Sequence, residues 1–163
     1  MINNDILIRF RYALDIKNTD MVEIFKLGGI DVTKEEVLEI LSKKSNDEDE
    51  YDDEENEISN AMLESFFNGF IIFKRGRQEP KPGEPERPAL SNEHVNNILL
   101  KKVKIALALT SEDIIDLLDE AGVTITKGEL SALLRKKGHK NYKECGDKYA
   151  RNFLKGLTLK YRG

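Results

Sequence analysis

The chain has little of what most enzyme sites are built from. Its 163 residues include one cysteine (Cys145), two histidines (His94 and His139) and no tryptophan. A single cysteine excludes an internal disulfide and predicts a reducing, cytoplasmic compartment. The two histidines lie far apart in sequence and lack the spacing of a zinc site. No stretch approaches the ~18 consecutive apolar residues of a membrane span, so no membrane association is expected. Residues 1–5 lack the basic and apolar regions of a secretory signal. Proline is confined to one stretch, at Pro80, Pro82, Pro85 and Pro88.

What is present is charge, unevenly placed. Charged residues make up 34% of the chain and apolar ones 39%, the profile of a soluble globular protein, with a net charge of −4. Residues 1–76 carry 9 basic and 18 acidic side chains, whereas residues 96–163 carry 14 basic and 8 acidic. Nine of the acids fall in one run, 47–57. A like-charge block of that density repels itself and is expected to be a solvated loop (46–57). It lacks the glycine and ligand spacing of an EF-hand.

The chain also repeats itself. Residues 4–44 realign on 97–137 at a constant offset of 93, with twelve of 41 positions identical. Residues 65–70 realign on 152–157 at an offset of 87. This predicts an all-α protein of two tandem, pseudo-symmetric repeats of about four helices each: 1–76, a proline-rich linker 77–95, and 96–163. A unit of roughly 70 residues is marginal alone, so the copies should pack together or dimerise.

Apolar spacing gives the helices. Ile6, Leu7, Phe10, Ala13 and Leu14 mark the first, with Asn3 or Asn4 as its expected cap, and Leu99, Leu100, Val103, Ala106 and Leu107 mark its counterpart. Met21, Ile24 and Phe25, or Ile114, Leu117 and Leu118, mark the second, which begins near Asp20 or at Ser111-Glu112-Asp113 and ends at Gly28-Gly29 or Gly122. Thr33-Lys34-Glu35-Glu36 and Thr126-Lys127-Gly128-Glu129 both fit a capping box opening the third. The fourth runs from about Ser59 to Arg75 and from about Asp147 to Arg162. Ser91 or Asn92 is expected to cap the helix after the linker. Short connections predict that sequential helices pack as neighbours.

Asn-Asn-x-Ile-Leu near the start of each copy is followed by Arg11-Tyr12-Ala13-Leu14 and Lys104-Ile105-Ala106-Leu107. With Phe67-Asn68-Gly69, Glu129-Leu130-Ser131-Ala132 and Glu144-Cys145-Gly146-Asp147, these resemble the YehS-like family of small bacterial proteins, a duplicated domain of unknown function. The acidic run and the proline linker depart from that pattern. The resemblance implies the repeat and carries no activity.

No residue set amounts to a catalytic, cofactor-binding or metal site, no cofactor is expected, and no enzymatic activity is assigned. Cys145, near Lys143 and Lys148, could have a lowered thiol pKa, although a lone cysteine is more often simply buried. Two functional classes lead, with an enzyme assembled from sequence-distant residues as a third. The first is a non-enzymatic binding or adaptor module, with a groove between the repeats that takes a protein partner, or a homo-oligomer. The second is a nucleic-acid-binding, helix-turn-helix-like regulator using the basic face of the second repeat. Its candidate contacts are Lys127, Arg135, Lys136, Lys137, Lys140 and Lys143, with Tyr142 either stacking on bases or packed on the core. Against this class, the connection at 29–33 is longer than a usual helix-turn-helix turn, and the first copy presents Glu35 and Glu39 where phosphate would lie.

Overall fold

The computed structural model describes residues 1–42, 57–76, 82–83 and 90–162, and every regular element among them is an α-helix. Residues 47–56 of the acidic run, together with Pro80, Pro85 and Pro88, lie outside the described residues. The first repeat contains α1 (Asn3–Leu14), α2 (Asn18–Leu27), α3 (Lys34–Ser42) and α4 (Asn60–Arg75). The second contains α5 (Val95–Ala106), α6 (Ser111–Glu120), α7 (Lys127–Leu134) and α8 (Asp147–Tyr161). The helices correspond one for one in the order the internal repeat predicts.

The capping boxes form in both copies. Thr33 Oγ1 accepts from the Glu36 N–H at 3.1 Å and the Glu36 carboxylate accepts from the Thr33 N–H at 3.1 Å. Thr126 and Glu129 repeat the arrangement at 3.1 and 3.2 Å. Two helix starts differ from the sequence expectation. The residue preceding α1 is Ile2, whose N–H donates to Asp5 at 2.9 Å, while Asn3 and Asn4 lie inside the helix. Before α5 the cap is His94, whose Nδ1 accepts from the Asn96 N–H, rather than Ser91 or Asn92. The start of α6 at Ser111 agrees with the sequence reading, and Thr110 caps it, boxed with Asp113. Gly29 and Gly122 end α2 and α6 in left-handed conformations, φ 94° and 92°, which glycine adopts without a steric penalty.

Helices adjacent in sequence are not always the main packing partners. Within each repeat, α2 packs on α4 and α6 on α8; between repeats, α1 packs on α8 and α4 on α5. The sequence expectation therefore fails for α1, whose chief partner is the last helix of the chain. Close approach at glycine sets the two crossings within the repeats. A Cβ on Gly69 would overlap the Ile24 carbonyl, and one on Gly156 would overlap the Leu117 carbonyl, so the fourth helix of each repeat sits directly against the backbone of the second. The buried apolar residues of both repeats merge into one cluster. In the first repeat that cluster is aromatic. Phe10 meets Phe67 and Phe70 edge-on at 5.2 and 4.9 Å, a favoured ring geometry.

Two asparagines in each repeat fasten the chain around this core. Asn4 is fully buried; it donates to the Ile40 carbonyl at 3.0 Å and accepts from the Ile58 N–H at 2.9 Å. Asn97 donates to Leu133 and Lys143 and accepts from Cys145 N–H at 2.8 Å. Asn3 donates to the Ile58 carbonyl and Asn60, and Asn96 to the Cys145 carbonyl and Asp147. Each pair ties the end of the third helix and the lead-in of the fourth to the start of the first.

The inter-repeat helices run parallel. The Met1 ammonium lies 3.4 Å from Asp147 at the start of α8, and Arg162 just past its end donates to the Tyr12 carbonyl. The matching clamp, Arg75 to the Ile105 carbonyl, joins the ends of α4 and α5 at 3.3 Å.

Candidate ligand-binding groove

Between the parallel helices α1 and α8 lies a groove of about 530 Å3. From α1 it receives Ile8, Arg9 and Tyr12, and from α8 Arg151, Asn152, Leu154, Lys155 and Thr158. Helical periodicity sets these faces: Ile8 and Tyr12, Arg151 and Lys155, and Leu154 and Thr158 are each four residues apart and project side by side. Leu154 is buried and Ile8 half-buried, giving an apolar floor, while Arg9, Arg151 and Lys155 are exposed. No carboxylate lines the groove, and among the described residues none of these three cations has a hydrogen bond or ion pair. Beyond one end, the Arg162 guanidinium stacks 4.1 Å from the Tyr12 ring and its Nη2 donates to Asp15 at 3.1 Å, holding Tyr12 in place. The volume, apolar floor and few cations match the usual make-up of a ligand site.

The matching surface between α5 and α4 is built differently. Glu64 stands where α8 has Arg151, Asn68 where it has Lys155, and Lys102 where α1 has Arg9. Glu64 is buried and accepts from the Ser91 N–H at 2.9 Å. Burial depresses the Lys102 ammonium below the ordinary lysine value, with Glu64 and Glu93 opposing the effect. Glu93 accepts from Lys101 Nζ at 2.7 Å and from the Lys137 N–H at 2.8 Å. Thus residues 91–93 lie across this side, and its charges are matched.

Five of the six sequence-derived nucleic-acid contacts fall together on residues 135–143, and Lys127 stands at the opposite end of α7. Lys127 opens α7 and pairs with Glu112 at 3.2 Å, about 12 Å along the helix from Arg135. Lys136, Lys137, Lys140 and Lys143 are exposed and Arg135 half-buried on the following segment. That segment is anchored from within: the Lys143 N–H donates to Ala132, and the Lys137 N–H to Glu93. Tyr142 is half-buried, with Lys101 Nζ 5.7 Å from its ring, in keeping with the packed reading. Cys145 is buried, and burial, reinforced by Asp147, pushes its thiol up to about 12, opposite to the lowering that nearby lysines suggested. Among the described residues no three His, Cys, Asp or Glu side chains group as metal ligands, and no helix is long and apolar enough to cross a membrane.

The family described as a protein of unknown function, DUF1456, matches the chain twice, over residues 3–76 and 96–163. The chain belongs to this family. The uncharacterised protein YehS of Escherichia coli (strain K12) is 39% identical over 161 residues, covering 98% of this chain and 96% of that protein. No solved structure matches the chain. The motifs that carried the family resemblance have structural roles here. Asn-Asn-x-Ile-Leu supplies the two fastening asparagines and core residues, Gly69 the close crossing, Glu129 the capping box, and Cys145 the N–H held by Asn97. The sequence signal that could have revealed the groove was the pairing of Arg151 with Glu64 and Lys155 with Asn68 in the repeat register, an exchange of acid and amide for base.

Proposed function

We propose that the protein is a non-enzymatic binding module whose partner occupies the α1/α8 groove between the repeats. The observation that carries this reading is the groove itself: an apolar floor flanked by Arg9, Arg151 and Lys155, with no acid on its walls. Exposed cations beside apolar surface are what a complementary acidic partner would neutralise and cover. The test is affinity capture from bacterial lysate, with and without nuclease. Thr158→Trp fills the groove without altering charge. Capture of a defined protein that survives nuclease and is lost in Thr158→Trp is the expected result. Capture unaffected by the tryptophan would sink the groove reading.

A second reading is favoured by one observation, the exposure of Lys136, Lys137, Lys140 and Lys143 on a single segment. A nucleic-acid contact there would weaken steeply with added salt through counterion release. A gel shift abolished in Lys136→Ala/Lys140→Ala and unchanged in Thr158→Trp would select it over the groove.

A further inference from the structure

The two inter-repeat surfaces are counterparts, and one is already crossed by polypeptide. Between α4 and α5, residues 91–93 touch Glu64 through the Ser91 N–H and Lys101 through the Glu93 carboxylate. The positions that correspond to Glu64 and Lys101 in the other half are Arg151 and Ile8, and both line the open α1/α8 groove. The fold therefore accommodates peptide backbone at this place once, and offers a second such place with different chemistry. In the covered half the wall presents a carboxylate, an acceptor, to a backbone donor. In the open half Arg151, Arg9 and Lys155 present donors and positive charge.

We propose that the α1/α8 groove binds an extended acidic segment of a partner protein, with carboxylates paired to Arg9, Arg151 and Lys155 and an apolar side chain set on Ile8 and Leu154. Charge complementarity carries the assignment. The groove has three cations and no acid, and guanidinium groups bind carboxylates bidentately. The apolar floor favours a peptide with an apolar side chain between its acids over a bare anion, and the parallel helix walls favour an extended ligand over a compact one. This inference rests on the groove reading above and specifies the occupant.

The test uses the intact chain. A displayed library of random 12-residue peptides is selected against it, and the enriched peptide is synthesised with a fluorescent label and titrated by polarisation. Enrichment of peptides with Asp or Glu flanking an apolar residue is expected. Arg9→Glu/Arg151→Glu should then weaken the labelled peptide at least tenfold, and a peptide with lysine in place of its acids should recover binding to that variant. Both arginines are exposed, so the variant should fold. The wild-type protein supplies an independent reading, since binding should fall as salt is raised. Enriched peptides without acidic bias, or equal affinity for wild type and variant, would overturn the inference. So would a single-stranded 20-nucleotide probe that outcompetes the peptide, or a dimer that the double variant dissociates. Loss of the peptide in Thr158→Trp with no effect of Arg9→Glu/Arg151→Glu would leave the groove standing and remove only the acidic occupant.

Discussion

Asn97 shows how much one side chain can hold. Its amide makes three hydrogen bonds, to the Leu133 and Lys143 carbonyls and the Cys145 N–H, the first and last of them buried. Asn97→Ala strands the Leu133 carbonyl and the Cys145 N–H in a buried site, where each unsatisfied group costs about 1–3 kcal/mol. We expect a loss of roughly 3 kcal/mol or more and a melting temperature lower by about 6–12 °C in a calorimetric scan. A shift within a degree of wild type would mean that water replaces the amide. Nothing near Asn97 in sequence announces this role, because its partners lie 36 to 48 positions away. Thr33 and Thr126 were legible for the opposite reason: a capping box closes within four residues. Glu93 gives a pH signature. Burial works against its carboxylate, but Lys101 and the Lys137 N–H outweigh it and hold the group below its usual range. A depressed carboxylate contributes stability above its unfolded value and loses it as pH falls through the folded one. Glu93→Gln should therefore lower the melting temperature at about pH 7, and the gap to wild type should close toward about pH 3. A gap that persists unchanged in acid would show that the ion pair contributes nothing.

At the scale of elements, helix positions were readable because each buried stripe recurs every three or four residues over a full helix. Helix partners were not, because a stripe records burial and says nothing of what covers it. The two crossings that decide the packing depend on absent side chains, at Gly28 and Gly69 in the first repeat and at Gly156 in the second. Gly69→Ala and Gly156→Ala would drive a methyl into the Ile24 and Leu117 carbonyls and force α4 from α2, or α8 from α6. Each should cost about 2–3 kcal/mol in urea unfolding. Gly128, in the first turn of α7, has open space where a Cβ would stand. Gly128→Ala should instead stabilise by about 0.4–1 kcal/mol, through a smaller loss of unfolded-chain entropy. Equal effects at the three positions would refute the close-packing account. A groove between the repeats was expected, but its lining was not legible, for a related reason. Arg9, Arg151 and Lys155 fall on exposed helix faces, where isolated cations are ordinary, and only the packing of α1 on α8 brings them to one place.

At the scale of the whole molecule, the repeats depend on each other's faces. Since α1 lies on α8 and α4 on α5, separating residues 1–76 from 96–163 would expose both contacts at once. Each half would then be a chain of roughly 70 residues with an unmatched apolar surface, at the size where a single core is marginal. The pseudo-twofold relation offers one escape. In a pair of second repeats, α5 of one copy could take the place of α1 against α8 of the other, because Leu99, Leu100 and Val103 stand where Ile6, Leu7 and Phe10 do. The isolated second repeat should therefore be either unfolded or a symmetric dimer, and the dimer should dissociate and unfold together on dilution. Sedimentation velocity with circular dichroism over a dilution series would read this directly. A folded, monomeric second repeat would show that the inter-repeat helix pairs are a docking of two self-sufficient domains. In that case the groove between α1 and α8 would be free to open and close as the repeats move.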